Sequence, residues 1–285
     1  MRLPCVVTCV AAIAAVPWQD GLPQFATRTE LVRIDVLASS GGDPIAGLTR
    51  DDFIVTDNGV IQDVDRVIGA RSPVEAWLIV DQSGSVRGRS AELNVAVRTF
   101  LGQLDAADQA SIITFRHGLR LLPRIGISTE GIHTALAETS EGYSSLRDAI
   151  ALALTLRDVR FDRSLLLVLS DGADTMSWLT EASLEERISR ADVAVYALMG
   201  QSDGASIGAR YLARLAELSG GRVVRVSEPS RLASAFVAVL EEAKARYVVT
   251  YYPTGVSRTG WHEIRVRLRR GRGEVRARRG YLAGQ

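Results

Sequence analysis

From Val74 to Ala245 the chain alternates apolar runs with segments of helical spacing. That alternation constrains the fold more than any other feature. "VEAWLIV", "SLLLVLSDG" and "VAVYALM" are the runs of strands buried on both faces. Such strands belong to a mostly parallel sheet whose crossover helices cover it on each side. "RSAELNVAVRTFLGQL", "SSLRDAIALALTLRDV" and "SRLASAFVAVLEEAKAR" have the spacing of those helices, and the pattern predicts two more over roughly 181–190 and 208–218. "QASIITF" and "LRLLPRI", joined around His117-Gly118, read as a strand hairpin. About six strands and six helices in some 170 residues have the scale of one doubly wound α/β domain, on a mostly parallel six-stranded sheet.

The flanks read differently. "ELVRIDVLAS" alternates polar and apolar residues, and "DDFIVTDNGVIQDVDRVIG" is two short runs around Asn58-Gly59, a pair that tolerates the positive φ of a tight hairpin. After residue 246, "RYVVTYYPTG" and "HEIRVRLRRGRGEVRARRGYLA" return to strands with Pro and Gly at the turns. The two β-rich ends total about 80 residues, too few in each piece for an independent sandwich. They are expected to pair into one small β domain, 25–72 with 246–285, into which the α/β domain 74–245 is inserted.

The 285 residues are 47% hydrophobic and 24% charged, ordinary for a folded chain, and the net charge of +1 suggests no nucleic-acid partner. "MRLPCVVTCVAAIAAVP" joins a basic residue to a short apolar run with small residues near its end, the pattern of a signal peptide over 1–17. A secreted or cell-envelope location follows as the expectation. Both cysteines, Cys5 and Cys9, fall in that segment, so a cleaved chain has no thiol for disulfides, zinc or nucleophilic catalysis. No other stretch has the length and apolarity of a membrane helix.

In an open α/β sheet, ligands bind beyond the carboxyl ends of the strands, where strand order reverses. Three polar segments fall at such ends: "DQSGS", with Asp81, Ser83 and Ser85; "EGYSSLRDAI", with Ser144 and Ser145 near a helix start; and "LSDGADT", with Asp171. Two carboxylates and three hydroxyls make a hard-oxygen set without nitrogen or sulfur. It suits Mg²⁺, with Mn²⁺ or Ca²⁺ as substitutes, and disfavours zinc or copper.

The Asp-x-Ser-x-Ser segment, the hydroxyl loop and the Ser-Asp-Gly segment, in that order, resemble a von Willebrand factor type A domain with its metal-ion-dependent adhesion site. The resemblance implies a doubly wound sheet with one antiparallel strand. It also implies that Ser83 and Ser85 ligate the ion directly, and Asp81 and Asp171 directly or through water. The family has threonine at the third-loop position. "SSLRDA" aligns Ser144 with it and leaves Ser145 as the alternative. The flanks are similar to exported bacterial proteins of this type first noticed in Acidobacteria.

The histidines, His117, His133 and His262, belong to no triad motif and are expected at the surface or partly packed. The arginine run from Arg265 to Arg279 alternates with apolar residues, as a half-buried strand with a solvated face does. Tyr247, Tyr251 and Tyr252 are expected in the core and at a sheet edge. The functional expectation is therefore an exported binding module, not an enzyme. Its cation would meet an Asp or Glu carboxylate of a protein partner. A metal-independent envelope scaffold and a metal-dependent hydrolase are the alternatives.

Overall fold

A computed structural model describes residues 31–69, 72–82, 90–122, 136, 143–200, 206–271 and 273–284. The expected signal segment with Cys5 and Cys9, the loop residues Ser83 and Ser85, and His133 lie outside the described residues. The N-terminal flank forms β1 (Val32–Ser40), β2 (Asp43–Pro44), β3 (Phe53–Asp57), β4 (Val60–Gln62) and β5 (Val64–Ile68). The middle of the chain runs β6 (Val74–Asp81), α1 (Ser90–Gly102), β7 (Gln109–Phe115), β8 (Leu119–Leu122), α2 (Leu146–Leu156), β9 (Arg163–Leu169), α3 (Glu181–Arg190), β10 (Ala194–Gly200), α4 (Ile207–Ser219), β11 (Arg222–Val226) and α5 (Leu232–Ala245). The C-terminal flank adds β12 (Tyr247–Tyr251), β13 (Gly260–Leu268), β14 (Glu274–Arg276) and β15 (Gly280–Ala283).

The middle segment builds one sheet in the order β11-β10-β9-β6-β7-β8. All its pairings are parallel except β7 with β8, the hairpin at the edge. All eight residues of β6 are buried. Ala76, Leu78 and Val80 face a core shared with α1 and α5, whereas Trp77 and Ile79 face one shared with α2, α3 and α4. Burial on both faces is what a run without a polar stripe requires. From β6 the chain goes first to β7 and later to β9 on the other side, so strand order reverses between β6 and β9.

The flanks share two sheets. One has the order β14-β1-β12-β5, with β2 on β1, and the other β15-β13-β3-β4. In each sheet, strands from the chain's start lie against strands from its end, with Val32 opposite Tyr251 and Phe53 opposite Leu268. Asn58 and Gly59 turn β3 into β4 at φ 46° and 83°, which Asn and Gly tolerate. Val32, Ile34, Phe53, Val55, Tyr247 and Ile264 are among the residues of the core between these sheets.

That core contains a polar centre. Asp57 accepts hydrogen bonds from the hydroxyls of Tyr251, at 2.8 Å, and Tyr281, at 3.0 Å, on Oδ2, and its Oδ1 lies 2.7 Å from His262 Nδ1. Asp57, His262 and Tyr251 are fully buried, which corrects the expectation that His262 sits at the surface or partly packed. Its strand alternates, so His262 shares the inward face with Ile264. Burial, then Asp57, pushes both tyrosine hydroxyls above their ordinary pKa. Tyr247 is buried too, whereas Tyr252 is half exposed at the end of β12.

Two buried arginines join the units. Arg246, between α5 and β12, donates to the carbonyls of Asp35 (3.0 Å) and Gly220 (2.9 Å) and to the Tyr196 hydroxyl (3.1 Å). Its Nε lies 3.1 Å from Asp35 Oδ2. Arg163, at the start of β9, donates to the carbonyls of Gly69 (2.6 Å) and Lys244 (3.1 Å), one at each crossing between the units. Around Arg246, Glu242 of α5 accepts from Tyr196, Arg222 and Arg276. Burial alone would raise the Glu242 carboxyl, but the Tyr196 hydroxyl and the two guanidinium groups outweigh it and hold its pKa below the usual range.

Two outcomes follow. A carboxylate whose folded pKa is depressed stabilises the fold above its unfolded pKa and ceases to do so as pH falls through the folded value. The chain should therefore lose stability as pH drops below about 4.3. Glu242→Gln should lose less over the same drop, measured by urea unfolding across pH 3–7. Asp57→Ala leaves His262 and two tyrosine hydroxyls buried without their acceptor. It should cost about 3–5 kcal/mol in urea unfolding at neutral pH.

Candidate metal centre

Asp81 is the last residue of β6 and is fully buried. Strand alternation puts it on the face of Trp77 and Ile79, the face covered by α2. Asp171 follows β9, the neighbour of β6 on the far side of the order reversal. Both carboxylates thus stand at the carboxyl ends of adjacent strands at the switch point.

Ser170 connects them. Its hydroxyl donates to Asp81 Oδ2 at 2.8 Å and accepts from the Gly172 N–H at 3.0 Å. Asp171 Oδ1 accepts from the Ala173 N–H at 2.8 Å, which curls the loop over its own carboxylate. Gly172 has φ +86° and packs against Gly208 in the first turn of α4. A Cβ on Gly172 would lie 2.2 Å from the Gly208 carbonyl carbon, and one on Gly208 would lie 2.1 Å from the Gly172 oxygen. Ser206 caps α4 by accepting from the Ala209 N–H at 2.9 Å, and its hydroxyl reaches the Asp171 carbonyl at 3.4 Å.

The same loop fixes Ser144. The Ser144 carbonyl accepts from the N–H groups of Thr175 (2.9 Å) and Met176 (3.0 Å), and the Ser144 N–H donates to Thr175 Oγ1 (3.1 Å). Asp174 accepts from the Arg147 N–H (2.7 Å) and the Ser177 hydroxyl (2.6 Å). Asp148 in turn accepts from the N–H groups of Trp178 (2.9 Å) and Leu179 (3.1 Å). The start of α2 and the loop after β9 therefore form one reciprocally bonded piece. Within it, Ser144 is 2% exposed, yet among the described residues its hydroxyl has no hydrogen-bond partner. Ser145 is the N-cap of α2 and makes no side-chain capping bond.

Asp81, Ser144 and Asp171 are thus tied to one loop, while Ser83 and Ser85 lie outside the described residues. The donor set is all oxygen, and no group of three or more His, Cys, Asp or Glu among the described residues is placed to hold a metal. A buried hydroxyl on a segment bonded to the loop that holds Asp81 and carries Asp171 fits a hard divalent cation, which takes neutral and charged oxygens together. Ser170, Thr175 and the Gly172–Gly208 contact shape this loop, and the sequence assigned them no role. Only the small residues of "SDG" and "SIG" hinted at so close an approach.

Residues 76–173 match the von Willebrand factor type A domain. The type A match runs from β6 through the loop that carries Asp171. No curated protein matches the chain in sequence. Its fold is similar to that of a von Willebrand factor type A protein from Catenulispora acidiphila. The two share 13% identity at a TM-score of 0.50, over 91% of this chain and 74% of that one. An aerotolerance-related membrane protein from Bacteroides fragilis aligns over 60% of this chain and 98% of its own, at 18% identity and a TM-score of 0.46. The pilus adhesin SpaC from Lactobacillus rhamnosus GG aligns over 86% and 48%, at 10% identity and a TM-score of 0.49. No described helix is long and apolar enough to cross a membrane.

A cavity of about 900 Å³ lies elsewhere, bordered by Arg190, Asp192, Tyr252 and Arg278, and none of the candidate ligands lines it. A smaller one, about 200 Å³, adjoins the centre at Gln82, Thr114, Arg116, His117 and Arg120.

Because Gly172 and Gly208 meet backbone to backbone, Gly172→Ala should force the loop off α4. It should lower stability by about 1–3 kcal/mol from the positive φ alone, with more from the clash, measured by thermal and urea unfolding. An unchanged midpoint would show that loop and helix separate freely.

Proposed function

We propose that the chain is a metal-dependent protein-binding module of the cell exterior, with a metal-ion-dependent adhesion site made by Asp81, Ser83, Ser85, Ser144 and Asp171. The observation that carries this reading is the buried Ser144 hydroxyl, which lacks a partner among the described residues and whose backbone is fixed to the loop that also binds Asp81. A buried polar group without a partner costs stability, and a ligand that satisfies it recovers that cost. Mg²⁺ suits the donor set best, with Mn²⁺ or Ca²⁺ as substitutes. The bound ion would offer an open coordination position to an Asp or Glu carboxylate of a protein partner.

Five oxygen donors leave one position of an octahedral Mg²⁺ for an external oxygen, and a carboxylate fills it with a charged ligand. The reading includes export, by the signal-like segment 1–17, and no catalytic step. Of the described histidines, His262 is engaged with Asp57 in the β unit.

Calorimetric titration of Mg²⁺, Mn²⁺ and Ca²⁺ into the full chain tests the site. The wild type should bind and Asp81→Ala should not. Ser144→Ala should weaken binding about tenfold, a change of about 1.4 kcal/mol, and Ser145→Ala should leave it unchanged. Equal binding by wild type and Asp81→Ala would exclude the site.

A further inference from the structure

Single exposed apolar side chains are common on any protein, whereas several gathered at one place mark an interaction surface. Four lie around the candidate metal centre. Tyr143, 59% exposed, directly precedes Ser144. Met176, 46% exposed, donates its N–H to the Ser144 carbonyl. Trp178, 95% exposed, follows two residues later on the segment held by Asp148. Ile207, 75% exposed, opens α4 directly after Ser206, whose hydroxyl touches the Asp171 carbonyl. Each therefore sits one or two residues from a group bonded to, or adjacent to, a candidate ligand.

The backbone beneath this arc is rigid. Reciprocal bonds between α2 and the loop after β9 hold Met176 and Trp178 in place, and the Gly172–Gly208 contact fixes Ile207. A large, nearly fully exposed indole on a fixed backbone gains free energy when a partner covers it. Tryptophan also ranks first among the residues that dominate protein interfaces.

The opposite side of Asp81 has different chemistry. In the sheet, β6 lies between β9 and β7, so the β7–β8 hairpin stands across Asp81 from the apolar arc. That hairpin carries Arg116, His117 and Arg120, which border the small cavity at Gln82. The two guanidinium groups there attract an acidic ligand at long range more than a basic one.

Resting on the proposed cation site, we infer that this face docks an extended protein segment in which an acidic residue lies within about three positions of a large apolar side chain. A strand of about three residues spans roughly 10 Å, the reach of one side chain's neighbours across a site. The carboxylate points at Asp81, Ser144 and Asp171, and the apolar neighbour packs on Trp178 and Met176.

A phage-displayed library of random dodecapeptides, panned on the full chain in Mg²⁺, is the probe. Enriched peptides should pair Asp or Glu with an aromatic or large aliphatic residue. Synthetic copies should bind Trp178→Ala at least tenfold more weakly, while its melting temperature and its calorimetric Mg²⁺ affinity stay those of the wild type. Tyr143→Ala, a second exposed substitution, should weaken the same peptides. No enrichment over a blank surface, enriched peptides without an apolar side chain, or undiminished binding by Trp178→Ala would overturn the inference. Repeating the measurement in EDTA separates the two readings. Paired acidic–apolar peptides that still bind in EDTA and are lost in Trp178→Ala would end the cation-site reading and support the apolar surface. Peptides lost in EDTA but indifferent to Trp178 would do the reverse.

Discussion

A guanidinium with no access to water joins the two halves of this molecule. Arg246 sits where α5 gives way to β12, and its donors reach β1, β10 and the end of α4 together. A buried charge is tolerated only when paired and hydrogen-bonded, so these partners are obligatory for one another. Asp35 supplies the counter-charge from the N-terminal flank, and Glu242 holds Tyr196 against the same centre. Arg163 adds a second bond at this crossing, through Lys244, and one at the other, through Gly69. The inserted sheet is thus bolted at both of its chain crossings.

Those bolts lie at the beginning of β6 and the end of α5, while the candidate ligands lie at the opposite end of the strands. The eight residues of β6 span about 25 Å. The flanking sheets therefore act as a base, with the parallel sheet as a stiff column and the candidate centre at its far end. The loops that carry Ser144 and Asp171 depend on one another more than on the base. Asp148 and Asp174 cross-bond them, and Ser170 fixes Asp81.

Much of this was legible in the sequence because burial writes itself into periodicity. The runs of β6, β9 and β10 lack a polar face since both faces are covered, and Asn58-Gly59 marks its hairpin by backbone tolerance alone. The polar segments also put Asp81 at the end of one strand and Asp171 just after another, whereas Ser144 stands before α2. Nothing in the sequence separated Ser144 from Ser145, because their side-chain environments depend on how the start of α2 meets the loop after β9. His262 was misread although its alternation with Ile264 points it inward. A lone histidine in an arginine-rich strand looks solvated until Asp57 is known to lie across the pairing. Asp57 itself continues the inward set of Phe53 and Val55, but only long-range register brings the four members of that cluster together.

The pairing of the flanks has a consequence for how the chain reaches this state. Asp35 and Arg246 are 211 residues apart, and β1 finds its neighbours β12 and β14 only near the C-terminus. The parallel sheet can form from nearer contacts, but the N-terminal strands must wait with their edges open until the last strands arrive. Closing so long a loop is slow, and open strand edges attract wrong partners meanwhile. The final strands therefore act as the clasp of the fold. A chain cut short before β12 would keep most of its helices and still expose β1, the strand most able to join another chain.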